Sequence, residues 1–313
     1  MARTIGVLHG METTFPEGLV AYINDRYGAR GVVAEPVRVG AVRYDEPPPY
    51  AVILDRISHE VPLYRSYLKL AALSGTRVVN DPFWWSADDK FIDNHIAERV
   101  GVAVPRTVIL PHKQHPPHTQ ASSFRNLVYP LDWEAVFAYV GFPAFLKPHD
   151  GGGWRNVSRV RSPEEFFIAY EASGDACMML QEGIDYQEYY RCYGVGRRQV
   201  RVMRYNPAAP HHERYSAVPP EPVPPAMLEK LERDVLALCR ALGYDLNTVE
   251  FAVRDGVPYA IDFMNPAPDA DYHSVGEENY RWIVTAMGDF LAELALAGEA
   301  PAPELPRHVR PAL

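Results

Sequence analysis

The first eighty residues alternate short apolar runs with helical patterns, and that alternation restricts the fold more than any other feature of the chain. Residues 5–9, 32–37, 50–54 and 77–80 read as strands. Helical spacing runs from about residue 17 to 27, and again over 61–73 through Leu63, Tyr67, Leu70 and Leu73. Strands that alternate with helices imply a parallel α/β sheet. Ligands of such a sheet sit beyond the carboxyl ends of its strands, here around residues 9–12 and 55–59.

From Ser86 the pattern changes. Ser86 is expected to cap a helix running to about residue 100, with Asp89 at its third position and Gly101 at its end. Strands are expected over 107–110, 144–147, 188–195 and 199–205, and near 176–181. Helices are expected over 132–140, over 163–172 behind a Ser162 cap, and over 226–242 and 277–297. Two further strands, 248–254 and 257–263, flank Asp255-Gly256, a hairpin signal. The division this suggests is 1–83, 84–180 and 181–313.

Composition removes several classes of function. Thirty-one Lys and Arg against forty Asp and Glu give a formal charge of −9, the wrong sign for holding nucleic acid through bulk charge. Three cysteines, none in a paired metal spacing, form no disulfide framework. The first residues do not read as a signal peptide, and no window of about 18 apolar residues spans a membrane. A reduced, cytoplasmic protein is expected.

Three features carry chemistry. Phe145-Leu146-Lys147 is an apolar strand that delivers one lysine, and Gly151-Gly152-Gly153 follow at once. Adjacent glycines let backbone N–H groups approach an anion, and the lysine adds a full charge, a combination suited to polyphosphate. Next, Met178-Met179-Leu180-Gln181-Glu182-Gly183-Ile184 runs from an apolar strand into a polar link whose backbone can pair with an adenine edge. Last, Glu250 lies on one strand of the hairpin, and Asp262 and Asn265 follow on the other. Oxygen donors of this kind suit Mg²⁺.

In this order, with the helix near residue 90 ahead of them, these motifs resemble the ATP-grasp superfamily over residues 80–290. The branch they look like is that of ribosomal-protein-S6 modification and glutathione synthesis. Asn80-Asp81-Pro82, Asp89-Lys90 and Gly101-Val102-Ala103-Val104-Pro105-Arg106-Thr107 are similar to the stretch leading into the family's central domain. The resemblance implies an ATP-grasp fold, an N-terminal parallel α/β domain followed by two α+β subdomains that grip ATP between them. It makes Lys90 and Lys147 the nucleotide lysines and Gly151–Gly153 the phosphate loop. Gln181, Glu182 and Ile184 become the adenine hinge, and Glu188 the acid for the ribose hydroxyls. Arg191 and Arg204 match a pair of arginines, of which Arg204 is the preferred one to steady the transferring phosphoryl group. Glu250, Asp262 and Asn265 match the metal ligands, with one departure: Phe263 stands where the family usually has an acid. Arg56, through Val52-Ile53-Leu54-Asp55-Arg56, is implied to clamp a substrate carboxylate.

The activity implied is an ATP- and Mg²⁺-dependent ligase, with Mn²⁺ as an alternative metal, joining a small-molecule or peptide carboxylate to an amine through an acyl phosphate. A small-molecule kinase and a non-catalytic ATP-binding module remain as alternatives. No nucleic-acid or membrane partner is expected, and a homo-oligomer is compatible with the resemblance.

Overall fold

A computed structural model describes residues 3–86, 89–150, 156–219 and 221–298. The first sheet is formed by β1 (Arg3–Leu8), β2 (Val32–Pro36), β3 (Val52–Asp55) and β4 (Arg77–Val79), all parallel and in the order β2-β1-β3-β4. Helices α1 (Thr14–Tyr27) and α2 (Pro62–Leu73) supply the crossovers. Parallel strands need such connections, which is why the alternation in the sequence translates into this sheet. Strand β3 is buried along its whole length, as expected of a strand covered on both faces.

After β4 the chain makes a short helix α3 (Pro82–Trp85) and then α4 (Lys90–Arg99). This corrects the capping expected from the sequence. Asp81 accepts from Phe83 N at 2.8 Å and Pro82 opens α3, so Ser86 falls at the end of that turn. Asp89 is the residue that caps α4, accepting from Phe91 N at 2.8 Å.

The second sheet, in the order β5-β8-β6-β7, is antiparallel. It contains β5 (Thr107–Ile109), β6 (Ala144–Pro148), β7 (Ser158–Val160) and β8 (Met178–Glu182). Helices α5 (Trp133–Val140) and α6 (Pro163–Ala172) pack on one face, around Val140, Ala144, Leu146, Phe166 and Leu180. Ser162 caps α6 through Glu165 N, with Pro163 in its first turn, as the sequence suggests. Strand β7 has no sequence signal of its own; three residues hold it against β6, Ala144 opposite Val160.

The third sheet has the order β10-β9-β11-β12, with β9 (Glu188–Val195), β10 (Gln199–Arg204), β11 (Leu246–Arg254) and β12 (Val257–Asp262). Helix α7 (Pro225–Ala241) packs against β9 and β10, while α8 (Tyr272–Val275) leads into α9 (Glu277–Ala297). The β11–β12 turn has φ of 54° at Asp255 and 73° at Gly256, the two left-handed residues a tight two-residue hairpin demands.

Two compact units result. One contains residues 1–88, 188–251 and 262–313, the other residues 89–187 and 252–261. The first is built on a core shared by α1, α9 and the first and third sheets, including Ile5, Leu19, Tyr193, Leu246 and Met287. The tip of the β11–β12 hairpin belongs to the second, where Ala260 N donates to Ala103 O at 2.8 Å. Among the described residues, no helix is long and apolar enough to cross a membrane.

Asn80 ties the first unit together. Its carbonyl accepts from Asp245 N and Leu246 N, both at 2.8 Å, and its amide donates to Leu246 O at 2.7 Å. A second bond from the same amide reaches Pro266 O at 3.3 Å. Asp245 itself is buried and pairs with Arg77 at 2.5 Å and Arg197 at 2.9 Å. Replacing Asn80 by alanine strands two buried backbone donors, each costing about 1–3 kcal/mol, so the expected loss of stability is on the order of 3 kcal/mol. Urea unfolding of the variant measures it.

Candidate active site

In the second unit, strand register decides which side chains meet. Thr107 and Phe145 lie directly opposite Gln181, and Lys147 lies opposite Met179. Facing residues share a face and alternate residues repeat it, so Thr107, Gln181 and Lys147 stand together on the face opposite the Leu146–Leu180 core. Lys147 Nζ donates to Gln181 Oε1 at 2.8 Å. Gln181 Nε2 donates to Thr107 Oγ1 at 3.0 Å, and that hydroxyl donates to Pro105 O at 3.0 Å.

One residue on, Glu182 turns to different partners. Oε1 accepts from Arg254 Nη1 at 2.9 Å, and Oε2 from Arg106 Nε at 3.2 Å. Arg254 also lies over the Tyr259 ring, 4.8 Å from its centre. Both oxygens of Glu182 are thus engaged by arginines. Glu182 N donates to Arg106 O at 2.9 Å and Gly183 N to Pro143 O at 2.8 Å. A side chain at position 183 would place its Cβ 2.6 Å from Pro143 O, so this close approach requires glycine. Ile184 follows, buried.

Burial alone raises the Glu182 carboxyl; the bonds from Arg254 and Arg106 outweigh it, and the group lies below its ordinary value of 4.5. A carboxyl lowered in the folded state stabilises above its unfolded value and loses that contribution as pH falls through the folded one. Glu182→Gln is therefore expected to lower thermal stability at neutral pH and to flatten its fall below about pH 4.5, so that variant and wild type converge in acid. Thermal scans across that range check it.

Lys90 is half-buried in the first turn of α4 and makes no bond with this group in the structure. Gly151, Gly152 and Gly153 lie outside the described residues.

In the first unit, the β9–β10 ribbon separates the two candidate arginines. Arg204 faces Tyr190 and Arg191 faces Met203, so the arginines project from opposite faces. Arg204 shares its face with Glu188. It donates to Glu188 Oε2 at 3.2 Å and to Glu221 O at 3.0 Å, and Tyr190 Oη also donates to Glu188. This face is covered by α7: a Cβ at Gly194 would lie 2.7 Å from Cys239 Sγ. Arg191 lies on the other face with Glu250. Its Nε is 3.7 Å from Glu250 Oε1, and its plane lies over Tyr205, 5.5 Å from the ring centre. The structure therefore sets Arg191 beside Glu250 and Arg204 beside Glu188.

Glu250 also accepts from Tyr189 Oη at 2.7 Å. Burial raises its carboxyl above the usual range; Arg191 opposes the rise and the nearby charge of Asp262 adds to it. Asp262 ends β12 exposed, and Phe263 takes the inward position in its place, 4% exposed. The backbone there is fixed by Asn247, fully buried, which accepts from Asn265 N at 3.0 Å and donates to Phe263 O at 2.7 Å. Asn265 Nδ2 donates to Thr248 Oγ1 at 2.9 Å, which turns its carbonyl oxygen the other way.

Arg56 is buried at the carboxyl end of β3. It donates to Glu12 through Nε at 2.9 Å and through Nη2, and Nη2 also reaches Pro268 O at 2.6 Å. With those bonds made, its Nε–Nη2 edge is taken by Glu12, and among the described residues Nη1 lacks a partner. Asn247 and Thr248 join these groups without having been singled out in the sequence.

No family model matches the chain. Over 181 residues, it is 24% identical to the D-alanine–D-alanine ligase of Ralstonia nicotianae, a match that spans 52% of this chain and 54% of that protein. The chain thus matches about half the length of that curated relative. Crystal structures extend the likeness in fold over most of the chain. The D-alanine–D-alanine ligase of Bacillus anthracis complexed with ATP superposes with a TM-score of 0.61 at 18% identity, covering 95% of this chain and 98% of that one. A RimK domain ATP-grasp protein from Sphaerobacter thermophilus does so at 0.61 and 17%, covering 93% and 99%. The chain has the ATP-grasp fold.

On a chain of this fold, the donors present fit a hard divalent cation. Glu250, Asp262 and the carbonyl of Asn265 form an all-oxygen set, the kind Mg²⁺ takes alongside substrate phosphates. Asp262 raises the Glu250 carboxyl, so the charges of the two acids oppose each other, an arrangement that a cation relieves. Among the described residues, no group of three His, Cys, Asp or Glu that could hold a metal ion stands together.

Proposed function

We propose that the chain is an ATP- and Mg²⁺-dependent ligase that joins a carboxylate to an amine through an acyl phosphate. The observation that carries this reading is the Glu250–Arg191 pair with Asp262 and Asn265, set in a fold shared with ATP-grasp proteins. In this reading, residues 1–83 serve the substrate side, and 84–180 with 181–313 serve the nucleotide. Lys147 and Lys90 neutralise phosphate oxygens, and the backbone of the hinge formed by Gln181, Glu182 and Ile184 pairs with the adenine edge. Gly151–Gly153 cover the phosphates. Arg191 steadies charge on the transferring phosphoryl group, a role suited to a donor already fixed in a water-poor site.

Mg²⁺ held by Glu250, Asp262 and Asn265 supplies charge neutralisation at the phosphates. The substrate carboxylate attacks the γ-phosphorus, the bond to the bridging oxygen breaks and ADP leaves. The amine then attacks the acyl carbon, loses a proton, and phosphate departs. Neither step needs a protein nucleophile; positioning and charge stabilisation suffice. The names of the relatives make an amino acid the first substrate class to test, and a cytoplasmic setting suits such substrates.

Hydroxylamine trapping tests the proposal. With ATP, Mg²⁺ and the carboxylate substrate, a hydroxamate forming in step with ADP supports the acyl phosphate. A phosphate ester in its place indicates a kinase, and tight ATP binding without turnover on any acceptor indicates a binding module.

A further inference from the structure

The polar run from Pro105 to Lys147 has a fixed direction. Proline contributes only a carbonyl, so Pro105 O takes the hydrogen of the Thr107 hydroxyl, 3.0 Å away. The threonine oxygen then offers lone pairs alone. They accept the Gln181 amide hydrogen at 3.0 Å, and this sets which end of the amide faces which way. The carbonyl end faces Lys147 Nζ at 2.8 Å. Gln181 is 2% exposed, so the amide has little water with which to exchange partners.

The sheet makes this run possible. Thr107 is directly opposite Gln181 on β5, while Lys147 lies two residues from the position opposite Gln181 on β6. Three strands thus bring one side chain each to the same face. If the amide turned over, its N–H group would point at the ammonium, and the threonine could meet the carbonyl only by giving up its bond to Pro105 O.

We infer that Thr107 is a positioning residue for the nucleotide phosphates, acting through Gln181 to hold the Lys147 ammonium in one place. This rests on the proposal above that Lys147 binds phosphate. Thr107 itself touches neither nucleotide nor substrate; its effect passes through an amide whose direction it fixes. The consequence is selective. Affinity for the phosphate part of the nucleotide depends on Thr107, and affinity for the adenosine part does not, because the link backbone at Gly183 is held separately by Pro143 and the Glu182 arginines.

Binding of ATP and of adenosine, titrated separately into the full chain and its variants, tests this. Thr107→Val keeps the shape and removes the relay. It is expected to weaken ATP by about five- to tenfold and leave adenosine within about twofold, and Thr107→Ser restores ATP affinity. In a Gln181→Ala background, Thr107→Val is expected to have no further effect on ATP. Unchanged ATP affinity in Thr107→Val overturns the inference. So does an equal loss for adenosine, the mark of a merely structural role, or failure of serine to rescue. An additive effect in the Gln181→Ala background overturns it too. A wild-type chain that binds adenosine and not ATP overturns the underlying role of Lys147 and with it this inference. Adenosine binding in each variant serves as the check that the sheet is intact.

Discussion

Replacing Lys147 by alanine is expected to lower kcat/KM for ADP formation by about 10²–10³, the cost of removing one fixed donor from developing or transferred charge. The physical case rests on the face from which the side chain projects. On β6, Ala144 and Leu146 point into the apolar core with Leu180, and Lys147 alternates onto the other face beside Gln181. Its removal therefore opens no cavity in the core. One structural consequence is a Gln181 carbonyl left without its lysine, costing about 1–3 kcal/mol. The fold is expected to persist, with binding and turnover lost together. Steady-state ADP release measures the first, and thermal unfolding the second. Near-normal turnover in Lys147→Ala removes this lysine from the site.

Asp262→Asn is expected to lower turnover by about 10² or more while changing stability by no more than about 0.5 kcal/mol, because the side chain is exposed at a strand end. In the proposed site its carboxylate supplies a negatively charged oxygen ligand for Mg²⁺. The neutral amide removes that charge and weakens the hold on Mg²⁺. Thermal stabilisation by Mg²⁺-ATP should shrink accordingly. Glu250→Ala behaves differently. It leaves Arg191, buried and 3.7 Å from the lost carboxylate, without its counter-charge. Breaking a buried pair costs about 3–5 kcal/mol, so this variant is expected to lose stability as well as activity. Two acids assigned to the same ion are thus told apart by denaturant unfolding. Equal stability of the two variants contradicts the burial argument.

Much of the fold is legible in local sequence. Helix α6 starts where Ser162 and Pro163 place it, and the hairpin turns at Asp255-Gly256, because capping and left-handed turn chemistry are decided within four residues. The parallel first sheet follows from the alternation of elements. Strand β7 escapes, since three residues with no periodicity become a strand only through β6. Ser86 misleads for a related reason: Asp81 and Pro82 claim the preceding turn and leave the cap to Asp89.

The site is less legible, and register is the cause. Sequence order alone cannot say that Arg191 and Arg204 leave opposite faces of a ribbon; the pairing of Arg204 with Tyr190 decides it. Thr107 and Gln181 are far apart in sequence and meet only because β5 pairs with β8. Asn247 and Thr248 sit in a strand that reads as apolar, yet they fix the backbone and amide of Asn265. Arg56, attractive as an arginine at the end of a parallel strand, is occupied by Glu12 and Pro268, neither of which is near it in sequence.

Calorimetric titration of ATP into the full chain, once with Mg²⁺ and once with a chelator, tests the central claim most directly. The account predicts binding that is strong with Mg²⁺ and markedly weaker in chelator, with the difference lost in Asp262→Asn. Absence of ATP binding in both conditions, or equal binding in both, contradicts it.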